Sequence, residues 1–177
     1  MTEQGSTPWS NTVATLSTDA LAAPPLLHEK RSINIAASVE RVWAMAGSFA
    51  DLTWVPAVKA SSATNGNAPG SNRTLDFGEA VLTETLVTYD GLAHTYTYRI
   101  DDTAANLRVV PVRGLVAQIS VVPAADGGSV ATWESSFSRA DQGSNPASGL
   151  DDATAQKQIA GTFTAGLAGL KAKAEAG

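Results

Sequence analysis

Residues 82–100 read LTETLVTYDGLAHTYTYRI. Alternating runs flank Asp90-Gly91, which predicts two strands joined by a turn at Tyr89-Asp90-Gly91-Leu92. Side chains alternate across a strand, so Leu82, Glu84 and Leu86 share one face, as do His94, Tyr96, Tyr98 and Ile100. If the hairpin brings both faces to one side of a sheet, a carboxylate sits among apolar residues beside two phenols. Such a charge requires a partner, a ligand or a shifted pKa. The expectation is a cavity floored by this hairpin.

Working outward, Leu26 to Ala36 reads as the first strand, with Ile33 and Ile35 on one face. Ser38 is a helix cap, and Val39, Val42, Trp43 and Ala46 follow helical spacing. Gly47-Ser48 ends that helix and caps a short second one, Phe49 to Thr53. Val58 to Thr64 and Asn72 to Phe77 are further strands. Beyond the hairpin, Asp101 to Leu107 reads as a polar connection. Arg108 to Val122 reads as one long strand or two pieces broken near Pro111. Gly127-Gly128 turns the chain into a last strand, Ser129 to Arg139. After a loop, Asp151 to Ala174 reads as a long helix with the stripe Ile159, Phe163, Leu167 and Leu170. Gly161, Gly166 and Gly169 each weaken that helix by about 1 kcal/mol. Close approach to the sheet, or room for a ligand, would explain them. Consecutive strands before one long helix give an α+β fold: a curved antiparallel sheet of about six or seven strands wrapped on the C-terminal helix, with two short helices after the first strand.

Composition narrows the function. The 177 residues are 44% hydrophobic and 16% charged, which suits one packed domain. A net charge of −5 argues against nucleic acid or an anionic membrane surface as the main partner. There is no cysteine, which excludes disulfides, thiolate metal sites and cysteine nucleophiles. No run approaches the roughly 18 apolar residues that span a bilayer. His28 and His94 lack ligand spacing, so neither a metal nor another cofactor is expected. The glycines at Gly70 and Gly127-Gly128 read as turns rather than phosphate loops.

Residues 1–25 are rich in Ser, Thr and Ala and end in Pro24-Pro25. They lack the basic start and the apolar core of about 7–15 residues that a secretory signal has. They read as a flexible arm before a single domain over 26–177, and the expected location is cytoplasmic. The alternative is a strap that packs Trp9 and Leu16 onto the domain.

The segment SINIAASVERVWAMAGSFADLTWVPAV, residues 32–58, resembles the opening of the SRPBCC superfamily, the START or Bet v 1-like helix-grip fold. Within it the chain is similar to small proteins of the polyketide cyclase/dehydrase type. Further matching pieces are Asn72-Arg73-Thr74-Leu75, Glu84-Thr85-Leu86, Tyr98-Arg99-Ile100, Pro111-Val112-Arg113, and Trp133 with Phe137. The resemblance implies an incomplete barrel gripping the last helix, with a ligand cavity between. It is also similar to plant abscisic-acid receptors in the Thr-Glu-x-Leu strand, where Glu84 matches a pocket glutamate and Tyr98 an aromatic pocket position. Leu115 stands where those receptors have a tyrosine, and Val55 stands near the place of their pocket lysine. The resemblance therefore does not imply hormone sensing.

Glu84 is the leading candidate residue. It reads as a ligand contact or general base, or else as half of a buried ion pair with Arg73, Arg99 or Arg113. Tyr96 and Tyr98 read as donors to a ligand carbonyl, or as core aromatics with hydroxyls at the rim. Trp54, Leu115, Trp133, Phe137 and Phe163 are expected to shape the wall, with Trp43 in the core. Arg113 is a candidate carboxylate clamp, or a surface residue. The partner expected is a small apolar or aromatic molecule. The alternative is a polyketide cyclase or aromatase using Glu84 as base and Tyr98 as donor.

Deleting residues 1–25 should leave the fold intact, because that arm carries no core pattern. A melting temperature lowered by more than about 5 °C, beyond about 1 kcal/mol, would show that the arm packs.

Overall fold

Residues 23–177 are described by a computed structural model; the rest of the predicted arm lies outside them. Strand β1 spans Leu27–Ile35 and helix α1 Val39–Ala46. Then come β2 (Ala60–Ala63), β3 (Asn72–Asp76), β4 (Val81–Asp90) and β5 (Thr95–Ile100). Helix α2 (Ala104–Val109) precedes β6 (Val112–Pro123), β7 (Ser129–Arg139) and helix α3 (Asp152–Glu175). The sheet order is β1-β7-β6-β5-β4-β3-β2, antiparallel throughout, so the first strand returns to pair with the last. The curved sheet wraps α3, and the core lies between them.

The fold class is the one expected, with seven strands. Some details differ from the sequence reading. After α1 the chain makes turns rather than a second helix, and Asp51 N donates to Ser48 O. The second short helix is α2, inside the connection read as polar. Thr103 caps it by accepting from Asn106 N at 3.1 Å. Asn106 is itself buried: it accepts from Thr83 N and donates to Thr83 O and Asp101 O, which pins α2 to β4. Strand β6 begins only after Pro111, which lacks the N–H a ladder needs.

Two bulges set which residues face inward. One in β4 lies between Leu86 and Thr88. The other, in β6 between Arg113 and Val116, contains Gly114 at φ 58, a backbone that glycine adopts without strain. A one-residue insertion flips every later side chain, so Leu115, Ala117, Ile119 and Val121 face the core together. The hairpin turn also differs from expectation. Asp90 Oδ1 accepts from Leu92 N and Ala93 N, and the left-handed residue is His94 at φ 51. His94 therefore precedes β5 and packs edge-on against Trp43, 5.6 Å between ring centres.

Asp151 caps α3 by accepting from Thr154 N at 2.7 Å. The predicted stripe is buried, joined by Ala155 and Ala174. The three helix glycines divide by surroundings. A Cβ on Gly166 would lie 2.6 Å from the Trp133 ring, and one on Gly169 would run into Trp54 O. A Cβ on Gly161 would meet nothing within 4 Å.

Gly169→Ala should destabilise by about 1–3 kcal/mol through overpacking. Gly161→Ala should instead stabilise by about 0.5–1 kcal/mol, because it improves helix propensity in open space. Urea denaturation of the two variants separates these signs; equal effects would mean that α3 does not approach the Trp54 turn.

Candidate functional site

A cavity of about 450 Å³ lies between the sheet and α3. Leu75, Leu82, Ile100 and Leu115 come from the sheet, while Ile159 and Phe163 come from the stripe of α3. Trp133 stacks on Phe163, with ring centres 4.5 Å apart and planes 14° apart. The rim is formed by Pro56 and Ala57, Phe77, Val109 and Val110, and the α3 flank of Gln158, Gly161, Thr162 and Ala165. Gln158 Nε2 donates to Val109 O at 3.4 Å, a long bond that joins α3 to the end of α2.

Two polar side chains of the sheet reach this space, Glu84 and Tyr98. Arg73 and Glu84 are direct partners in the β3–β4 register, which sets their side chains side by side on the inner face. Arg73 Nε donates to Glu84 Oε2 at 2.7 Å, and Nη2 lies 2.5 Å from the same oxygen without the alignment of a hydrogen bond. Both contacts use Oε2, so Oε1 is the oxygen without an arginine contact. Arg73 Nη1 donates to Phe49 O at 3.1 Å. The guanidinium lies 4.2 Å from the centre of the Phe49 ring and 5.1 Å from that of Tyr98, geometry for cation–π attraction. Arg73 is 0% exposed and Glu84 3%, so neither charge is relieved by bulk water.

Burial pushes the Glu84 carboxyl up from the ordinary carboxylate range, and Arg73 opposes that push. Burial also works against charge on Arg73, but Glu84 and the two phenols more than restore it, so the guanidinium stays protonated. Tyr98 is pushed well above the usual phenol range, first by burial and then by the Glu84 charge. Its hydroxyl accepts from Trp133 Nε1 at 3.0 Å, which leaves its own proton to donate. Tyr98 faces Ala117 across the β5–β6 pair, and this small residue leaves room for the contact with Trp133.

The structure brings together Glu84, Tyr98, Leu115, Trp133 and Phe163 at the cavity. It does not bring the other four candidates there. Trp54 is buried behind the wall, its ring edge-on to Trp133 at 5.5 Å. Tyr96 joins Trp43, Phe49 and Tyr89 in an aromatic cluster, and the β4 bulge sets Tyr89 opposite it. Phe137 is fully packed in the core. Arg113 donates to Ala140 O at 3.1 Å and lies 3.9 Å from Asp102, at the surface. Leu82 and Ile100, placed by alternation on the faces of Glu84 and Tyr98 but not named among the wall candidates, also line the cavity. Val109 and Val110 were out of its reach, because nothing marked α2 as a helix. Among the described residues no group of acidic or histidine side chains could hold a metal ion, and no helix is long and apolar enough to cross a membrane.

Residues 28–175 match the family model described as polyketide cyclase/dehydrase and lipid transport. Solved structures share the fold. An uncharacterized protein from Bacillus thuringiensis is 24% identical, with a TM-score of 0.68 over 83% of this chain and 98% of its own. The protein XoxI from Bacillus cereus is 25% identical, with a TM-score of 0.68 over 82% of this chain and 94% of its own. A protein from Thermobifida fusca is 26% identical, with a TM-score of 0.65 over 83% of this chain and 92% of its own. No curated protein matches the chain.

Arg73→Leu should destabilise by about 3–5 kcal/mol, because it leaves a buried carboxylate unpaired. The double variant Arg73→Leu/Glu84→Leu should be less damaged than the single one. Denaturant unfolding of both tests this; additive losses would mean that the pair is not coupled.

Proposed function

We propose that this chain, which belongs to the polyketide cyclase/dehydrase and lipid transport family, binds a small hydrophobic or aromatic molecule between its sheet and α3. The observation that carries this reading is the cavity itself: about 450 Å³, walled by aliphatic and aromatic side chains, with one polar pair at its sheet end. Sites for small molecules typically measure about 300–1,000 Å³, are mostly apolar, and hold a few convergent polar groups that orient the ligand. Gly161 supports the reading, since it lines the rim at a point where even a Cβ would meet nothing within 4 Å. In this reading Leu115, Trp133 and Phe163 supply contact area, while Glu84 and Tyr98 set the ligand's orientation.

The family and one arrangement favour a second reading, a cyclase-type enzyme. A carboxylate with raised proton affinity and a phenol with a proton to donate face the same space. Glu84 would remove a proton next to a carbonyl while Tyr98 donates to that carbonyl's oxygen. Glu84→Gln should then lower turnover of a poly-β-keto substrate by about 10²–10⁴ while binding survives. A binder has no turnover to lose.

N-phenylnaphthylamine, a neutral fluorescent dye, should bind the wild-type protein and be excluded from Leu115→Trp, which fills the space. Phe163→Ala should keep the fold and alter dye affinity. Its stability loss should fall below the roughly 3–5 kcal/mol of a fully packed phenylalanine, because this ring borders a void. A dye that binds all three proteins alike sits elsewhere, and the cavity reading then fails.

A further inference from the structure

Resting on the binding reading above, we infer that the cavity selects neutral molecules carrying a hydroxyl, and rejects apolar molecules with an anionic head. The polar end of the cavity holds one acceptor and one donor. The acceptor is Glu84 Oε1, since Arg73 occupies Oε2. The donor is the Tyr98 hydroxyl, whose oxygen already accepts from Trp133 Nε1 at 3.0 Å. A hydroxyl both donates and accepts, so one such group on the ligand satisfies both partners.

No cation complements an anion there. Arg73 is fully buried, committed to Glu84, to Phe49 O and to two ring faces, and it does not border the cavity. Arg113, read from the sequence as a carboxylate clamp or a surface residue, is at the surface on Ala140 O. Among the described residues no lysine or arginine lines the space. A carboxylate or phosphate entering the polar end would meet the Glu84 charge in a medium that screens poorly, with nothing to offset its own desolvation. A ligand with no polar group would leave both Glu84 and Tyr98 unsatisfied on losing their water.

The test compares naphthalene, naphthol and naphthoate at neutral pH, each competing with N-phenylnaphthylamine for the wild-type protein. Naphthol should compete at least about tenfold better than naphthalene, the gain expected from hydrogen bonding to a charged group. Naphthoate should be the weakest of the three. Tyr98→Phe, which leaves the Arg73–Glu84 pair in place, should reduce the naphthol advantage without abolishing dye binding. In Glu84→Gln, provided it still binds the dye, the discrimination against naphthoate should shrink. Three probes of similar affinity, or naphthoate the strongest, would overturn the inference while leaving the cavity a binding site. Failure of the dye itself to bind would overturn the binding reading and this inference with it.

Discussion

A guanidinium and a carboxylate are buried together under this sheet, and much of the site depends on keeping them paired. Each charge removed from water alone would carry a desolvation penalty of several kcal/mol, so each is tolerable only beside the other. This constrains β3 and β4 to the register in which Arg73 faces Glu84. It also ties the turn after α1 to the sheet, because Phe49 gives Arg73 both a carbonyl and a ring face. The pair leaves one carboxylate oxygen without an arginine contact, beside an otherwise apolar cavity. A surface so oily with a single acceptor and an adjacent phenol has a direction built into it.

Helix α3 both packs closely on its surroundings and borders the cavity. Gly166 and Gly169 let the helix lie against Trp133 and the Trp54 turn. On its flank Gly161, Thr162 and Ala165 line the rim. The β6 bulge at Gly114 turns Leu115 inward and places it in the wall. The far side is closed by the end of α2, which Asn106 anchors to β4.

How much of this could be read from residues alone varies with the physics involved. The alternation around Asp90-Gly91 identified the hairpin, and the apolar stripe identified α3, because both depend on periodicity within one segment. Glu84 stood out for the same reason: it is the one carboxylate in an inward-facing run. The cluster around Tyr96 was not legible, since a bulge in β4 sets Tyr89 opposite it and no local signal marks a bulge at Val87. Arg113 was open to two readings, clamp or surface residue, because its direction depends on where the second bulge falls. Helix α2 is six residues long and has no apolar period to find. What pins it is a side chain reaching a strand some twenty residues back, a long-range contact that local pattern does not encode.

The central claim is that a small apolar molecule occupies the space between the sheet and α3. Methyl-resolved NMR during titration with N-phenylnaphthylamine tests it most directly. Shifts are expected of the Leu82, Ile100, Leu115 and Ile159 methyls, which line the cavity, while Val87, Val116 and Val122, exposed away from it, stay fixed. Shifts confined to those exposed valines, with the four cavity residues unmoved, would contradict it.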